Sequence, residues 1–257
     1  MDLFTAVITG VLQGIFEWLP ISSQGNIMAY LLALFESSPE EALKIAVLLH
    51  TGTLLAAIVY FRKELGQILE CKTKADKELA RFILFATLAT AITAVPLYFA
   101  LKQFLALGVA YVILAIAVLL AATGLLQLKR KVGKKMRLTD RNALLAGLAQ
   151  GLSVLPGISR SGVTTSALLF TDANPEQAFR LSFIMSIPAV LVAELAFGLA
   201  EGVYLEGFAA VSIIIAFIMG LASMDILIRA ARRINFSYFC FALAALYLAV
   251  FAVMALV

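Results

Sequence analysis

Charge is what this sequence has least of. Of its 257 residues, 14% are Asp, Glu, Lys or Arg and 63% are apolar. Mean hydropathy is +1.00. A water-soluble domain carries nearer a quarter charged residues, so a soluble globular class is excluded. Cysteine is scarce as well. Cys71 and Cys240 have no redox or metal spacing and suggest no disulfide. The opening MDLFTAV lacks a basic n-region and an A-x-A site, so no cleaved signal peptide is expected. The longest polar stretch, 62–81, leaves no room for a soluble domain.

What is present is long apolar runs. Six are long enough for a bilayer core of about 30 Å at ~20 residues each. They fall near 41–61, 82–101, 106–128, 176–200, 208–228 and 237–257. Two further apolar regions, 3–35 and 142–171, are each split near the middle. Helices over Thr5–Leu19 and Ile27–Phe35 would be only ~22 and ~14 Å long, too short to span.

The two split regions hold a repeat. GVLQGIFEWLPISSQG (Gly10–Gly25) and GLAQGLSVLPGISRSG (Gly147–Gly162) align without gaps. Gly10/Gly147, Gln13/Gln150, Gly14/Gly151, Ile21/Ile158, Ser22/Ser159 and Gly25/Gly162 coincide. Pro20 and Pro156 disfavour helix before them, and Gly14, Gly25, Gly157 and Gly162 permit a sharp reversal. Repeated broken helices in corresponding halves of a membrane protein point to its binding site.

Charge placement sets the topology. Sixteen of the 20 Lys and Arg residues lie in 62–81, 129–141 and 229–233. Cytoplasmic loops carry such an excess. All three share one face only if 142–171 re-enters rather than crosses, which also keeps the loop with Glu201 and Glu206 outside. The prediction is an all-α integral membrane protein of two inverted-topology repeats, each one re-entrant helical hairpin plus three transmembrane helices. Residues 1–128 form the first repeat, 129–141 a basic cytoplasmic loop and 142–257 the second. The basic loops read as a topology signal with a secondary affinity for anionic headgroups, not as a nucleic-acid surface.

The opposed tips carry the polar chemistry. A lone intramembrane Arg costs at least ~2.5–3.5 kcal/mol, so Arg160 needs a partner or a wet site. Its planar fork suits phosphate oxygens, and the plainer reading is an ion pair with Glu17. Ser159, Ser161, Gly162 and Thr164 beside it, at a predicted helix start, form an anion nest. Ser22 and Ser23 are either a nucleophile or helix caps. Asn26 can hydrogen-bond a phosphate but cannot take a proton. Glu17 can hold a divalent cation, act as a general base, or only pair with Arg160. His50, the single histidine, is either a packing residue or an acid near neutral pH. Gln13 and Gln150 are secondary candidates by the repeat. Glu194 and Asp225 read as helix–helix polar contacts.

EWLPISSQGN (Glu17–Asn26) resembles the E-F-L-P-[IV]-S-S-T-G-H stretch of the undecaprenyl-diphosphatase (bacitracin-resistance) family. LPGISRSGVTTS (Leu155–Ser166) resembles its P-G-x-S-R-S-G-x-T signature, and LLHTGTLLAAIVYFR (Leu48–Arg62) also fits. The resemblance covers essentially the whole chain. It implies inverted repeats with two re-entrant hairpins. It implies a phosphatase in the plasma membrane that removes the terminal phosphate of a polyprenyl diphosphate so that the lipid carrier is reused. It implies a divalent cation, Mg or Ca, and makes Ser23 the better nucleophile. Glu17 and Arg160 would share the site with it. Two positions depart: the family's earlier Glu is Gln13, and its closing His is Asn26. Neither moves a proton, and general acid–base catalysis is typically worth about 10²–10⁴-fold, so weak hydrolysis is predicted. The alternative is a transporter or flippase that binds a polyprenyl phosphate without hydrolysis.

The topology is open to direct test. In a chain freed of Cys71 and Cys240, Lys135→Cys is expected to react with an impermeant thiol reagent only after the cells are opened. Reaction in intact cells would sink the inside-loop assignment.

Overall fold

The computed structural model describes residues 2–35, 37–128, 133, 135–202 and 207–256, including every side chain there except those of 227 and 231–233. Eleven α-helices and no strands occur among these residues. They are α1 (Leu3–Phe16), α2 (Ser23–Leu34), α3 (Pro39–Tyr60), α4 (Arg62–Glu70), α5 (Lys74–Leu105), α6 (Val109–Leu128), α7 (Asp140–Gly151), α8 (Arg160–Phe170), α9 (Pro175–Glu201), α10 (Ala209–Arg233) and α11 (Ser237–Leu256). Helices α3, α5, α6, α9, α10 and α11 are long and apolar enough to cross a membrane. These are the six predicted spans, and the chain is a multi-pass membrane protein.

The stretch 62–81 is not the loop the charges suggest. It holds α4 and the first turns of α5, because only Gly66 and the left-handed Cys71 oppose helix in it, and Thr73 starts α5 with a reciprocal cap. Asp76 N donates to Thr73 Oγ1 at 3.1 Å, and Thr73 N donates to Asp76 Oδ2 at 2.8 Å. Of the basic loop 129–141, residues 129–132 and 134 lie outside the described residues, as do Glu206 and the side chains of Arg232 and Arg233.

The split regions fold as paired short helices. At 14 and 12 residues, α1 and α2 are ~21 and ~18 Å long. Helices α7 and α8 have 12 and 11 residues, and none of the four reaches the ~30 Å of a bilayer core.

The repeated glycines serve packing. Gly10 and Gly14 put the backbone of α1 against α10, where an added Cβ would lie 2.7 Å from Ser212 O and 2.8 Å from Gly220 N. Gly147 and Gly151 do the same for α7 on α5, with Ala86 O at 2.2 Å and Thr90 O at 2.6 Å. Glycines four apart let helix backbones approach closely, which is what drives association where water does not. Hydroxyls use that proximity: Ser223 Oγ donates to Gly14 O at 3.0 Å, and Thr90 Oγ1 to Gly147 O at 3.2 Å. Each first helix of a split region therefore docks on a helix of the other half. The second helices stay at home, α2 on α3 and α8 on α9, and α6 packs on α11.

One contrast isolates this effect. Ala is favoured over Gly by ~1 kcal/mol in a helix interior, whereas overpacking costs ~1–3 kcal/mol. Gly147→Ala is expected to lower the melting temperature of the detergent-solubilised protein. Gly66→Ala, which meets nothing within 4 Å, is expected to hold or raise it. Equal shifts would remove the packing explanation.

Candidate active site

Helices α1 and α7 end at Phe16 and Gly151, and the chain turns through 17–22 and 152–159, past Pro20 and Pro156, before α2 and α8 begin. The two turns meet. Ser22 Oγ accepts from Gly25 N at 3.3 Å and from Gly157 N of the opposite turn at 3.1 Å. Ser161 Oγ donates to Leu19 O at 3.1 Å. A Cβ on Gly25 would sit 2.6 Å from Gly157 N, so two glycines face each other at the contact. Helix α6 ties both turns: Gln127 Nε2 donates to Pro20 O at 2.7 Å and Thr123 Oγ1 to Gly157 O at 3.2 Å. Trp18 anchors the first turn to α10, its Nε1 donating to Gly220 O at 2.9 Å.

The first turn is held under strain. Ser22 has φ 63°, a left-handed conformation that a non-glycine adopts at a cost of about 1–3 kcal/mol. Asn26 supports it. Its Nδ2 donates to Ile21 O at 2.7 Å and Ser22 O at 2.8 Å, while its Oδ1 accepts from Tyr247 at 2.5 Å. All of its donors and its carbonyl are engaged, and it sits behind the turn.

Glu17 is the hub. It is buried, and it forms an ion pair with Arg160 of the opposite turn through Oε1. Oε2 accepts from Ser23 Oγ at 2.6 Å and from Gln13 Nε2 at 3.0 Å, and His50 Nε2 lies 3.4 Å away. His50 Nδ1 lies 2.7 Å from Ala46 O. A carbonyl only accepts, so Nδ1 carries a hydrogen and Nε2 is the nitrogen that faces Glu17. The Arg160 guanidinium lies 5.9 Å over the Phe183 ring, and its Nη1 is buried without a partner. A fork with one arm on Glu17 and one arm unused can receive an anion.

These groups form the head of a cavity of about 330 Å³. Glu17, Ser22, Ser23, His50, Gln150, Ser159, Arg160 and Ser161 line its polar end. The remainder lies between α5 and α9 and, apart from Thr87, Thr90, Tyr98 and Glu194, is lined there by apolar residues such as Ala91, Ala94, Val95, Phe99, Ala189, Val192 and Ala193. Val95, Phe99 and Val192 are exposed as well, so the cavity opens through the side of the helix bundle.

Of the predicted site residues, Gln13, Asn26, Gly162 and Thr164 lie behind the cavity wall. Gln13 bonds Glu17 and Thr53. Gly162 N is capped by Ser159 Oγ at 3.1 Å. Thr164 Oγ1 donates to Arg160 O at 2.7 Å and shares a hydrogen bond with Ser182. Gln150 Nε2 donates to Thr90 Oγ1 at 3.0 Å. Sequence reasoning missed Thr53, Thr123, Gln127 and Tyr247, which hold the site in place. The available signal was a polar group inside each otherwise apolar span.

Comparison with known proteins places the chain in a family. The profile of bacitracin resistance protein BacA matches residues 6–252. The chain is 39% identical over 259 residues to an undecaprenyl-diphosphatase of Methanococcoides burtonii, covering 96% of this chain and 97% of that one. It is 41% identical over 257 residues to one of Methanothrix thermoacetophila, covering 98% of each. A third, from Haloarcula marismortui, is 35% identical over 258 residues and 93% of each chain. Matches of this breadth, together with the paired turns that carry Glu17 and Arg160, show that the chain belongs to the bacitracin resistance protein BacA family.

Proposed function

We propose that this chain is an undecaprenyl-diphosphate phosphatase of the plasma membrane, which returns the lipid carrier as its monophosphate. The observation that carries the reading is the Ser23 hydroxyl on Glu17, opposite the free arm of Arg160. They lie at the polar head of a cavity whose apolar part opens between helices. A diphosphate fits the head, and an isoprenoid tail fits the opening.

The chemistry follows from these positions. Arg160 Nη1 and the Ser159 hydroxyl, turned from Ser161, bind the terminal phosphate and stabilise its charge in the transition state, where electrostatics dominates phosphoryl transfer. Ser23 Oγ attacks the terminal phosphorus. Its proton passes to Glu17 Oε2, the anhydride P–O bond breaks and the lipid monophosphate leaves. Water then attacks the phosphoserine, giving inorganic phosphate and restoring the hydroxyl. His50 Nε2, beside the same carboxylate oxygen, takes or returns the proton. It thus supplies the acid–base function that neither Gln13 nor Asn26 has.

A divalent cation, Mg or Ca, belongs to the proposal and would neutralise phosphate charge when bound. Among the described residues no three His, Cys, Asp or Glu side chains gather into a ready cage. Mg²⁺ is commonly held by one or two carboxylates together with substrate phosphates, so the carboxylates of this cavity fit a cation that arrives on the diphosphate. Glu17 is the first such carboxylate by sequence, and both its oxygens already have partners.

The proposal includes inverted halves, 1–128 and 142–257, with both termini outside and each split region re-entering the membrane. The reciprocal docking of α1 on α10 and α7 on α5 supports it. The same observation favours a second reading, movement of a polyprenyl phosphate across the membrane. Helix α3 lies tight on α10 at Gly52, where an added Cβ would be 2.4 Å from Ile213 O, while α5 and α9 flank the open cavity. Exchanging those two arrangements would turn the cavity to the other face.

Phosphate release from undecaprenyl diphosphate by purified protein separates the readings. Ser23→Ala is expected to abolish release and keep lipid binding, and Arg160→Ala to lose both. Wild-type binding without release would favour transport.

His50→Ala is expected to slow release by about 10²–10⁴-fold, the usual worth of a positioned acid–base group. An unchanged rate would place the proton carrier elsewhere.

Glu17→Gln and Arg160→Gln are each expected to destabilise the protein, by up to ~3–5 kcal/mol, because each leaves a buried charge alone. The double variant should lose much less than their sum. Additive losses would put the two residues in separate environments.

A further inference from the structure

Arg160 Nη1, Gln150 Oε1 and Glu194 Oε1 are buried atoms without a hydrogen-bond partner, and all three side chains line the one cavity. The first is a donor and suits a phosphate oxygen. The other two are acceptors, which repel one. Glu194 lies in α9 and is tied to α3 through Oε2, which accepts from Thr51 Oγ1 at 2.5 Å. No ion pair to it occurs among the described residues. Gln150 is almost wholly buried, and its amide nitrogen is committed to Thr90.

Electrostatics then asks for a cation. The cavity holds one fixed positive charge, Arg160, against two carboxylates, Glu17 and Glu194. A diphosphate adds at least two negative charges to that surplus in a medium where charges are poorly screened. Glu17 has no oxygen to offer: Arg160 occupies one, and Ser23, Gln13 and His50 crowd the other. Glu194 has one oxygen bare. Hard divalent cations prefer carboxylate oxygens and complete their shells with water and substrate phosphate.

We propose that Glu194, not Glu17, is the protein's ligand for the divalent cation that accompanies the diphosphate. Its Oε1 would hold the ion on the α9 wall of the cavity, across from the phosphate-binding arm of Arg160. Thr51, adjacent to His50 in α3, orients the carboxylate by taking up its other oxygen. The assignment rests on the diphosphate reading above.

Mn²⁺ is the probe, followed by its electron paramagnetic resonance on full-length protein in detergent, with a polyprenyl methylenediphosphonate that cannot be hydrolysed. Wild type is expected to immobilise Mn²⁺ when the analogue is present. Glu194→Gln, which keeps the side-chain size and can still accept from Thr51, is expected to weaken Mn²⁺ by roughly tenfold or more while retaining the analogue. Asp225→Asn, a carboxylate of α10 that bonds Tyr60 and lies outside the cavity, is expected to leave Mn²⁺ affinity within about a factor of three, a shift below 1 kcal/mol. Wild-type Mn²⁺ affinity in Glu194→Gln, or an equal loss in Asp225→Asn, overturns the assignment. Should Glu194→Gln not fold, Glu194→Asp is the variant to read. Its carboxylate is one methylene short and should still weaken Mn²⁺ severalfold, and unchanged affinity there overturns the assignment equally. Analogue binding to wild type is followed separately by thermal shift. Its absence sinks the diphosphate reading, whereas analogue binding with Mn²⁺ indifferent to Glu194 sinks only the cation assignment.

Discussion

The ion pair between Glu17 and Arg160 is the constraint to which the rest of the molecule answers. Neither charge is tolerable alone inside a bundle of membrane-crossing helices, and the two sit 143 positions apart in the chain. Bringing them together requires two chain reversals to touch. That contact in turn requires glycine on both sides, since a Cβ on Gly25 would collide with the backbone of Gly157. It also requires carbonyls turned away from helices to find donors, which Thr123, Gln127 and Asn26 supply. Glycine-lined seams let α1 and α7 reach far enough into the opposite half.

The pair divides the labour of its two members. Four neighbours surround the Glu17 carboxylate, which fixes its position against the Ser23 hydroxyl. Arg160 is less enclosed, with one arm on Glu17, its plane over Phe183 and one arm unclaimed. A site with a saturated base and an unsaturated cation is arranged to receive an anion next to a hydroxyl. His50 enters through the tautomer that Ala46 imposes, which leaves Nε2 facing Glu17.

Much of this was legible in the sequence. The six spans follow from apolar run length alone, and the two chain reversals from the sixteen-residue repeat with its prolines and glycines. The pairing of Glu17 with Arg160 followed from the cost of leaving either unpaired. What failed was local. Residues 62–81 read as loop because charge was taken for irregularity, yet nothing in them breaks a helix except Gly66 and the left-handed Cys71. Gly14 read as a hinge, although helical spacing from Gly10 made it part of a packing face. Asn26 read as a phosphate contact because side-chain chemistry says what a group can bond and not which way it points. Glu194 was visible as an intramembrane carboxylate, but the cavity that isolates its second oxygen depends on three helices meeting.

The sideways opening between α5 and α9 changes what concentration means for this protein. Val95, Phe99 and Val192 face both the cavity and the surroundings of the bundle. A ligand that enters there comes from within the bilayer plane, so occupancy follows its mole fraction among lipids and not its amount per volume of water. Diluting the membranes in buffer leaves that fraction unchanged, whereas adding inert lipid or detergent lowers it. Saturation curves for such a cavity belong on a surface-density axis.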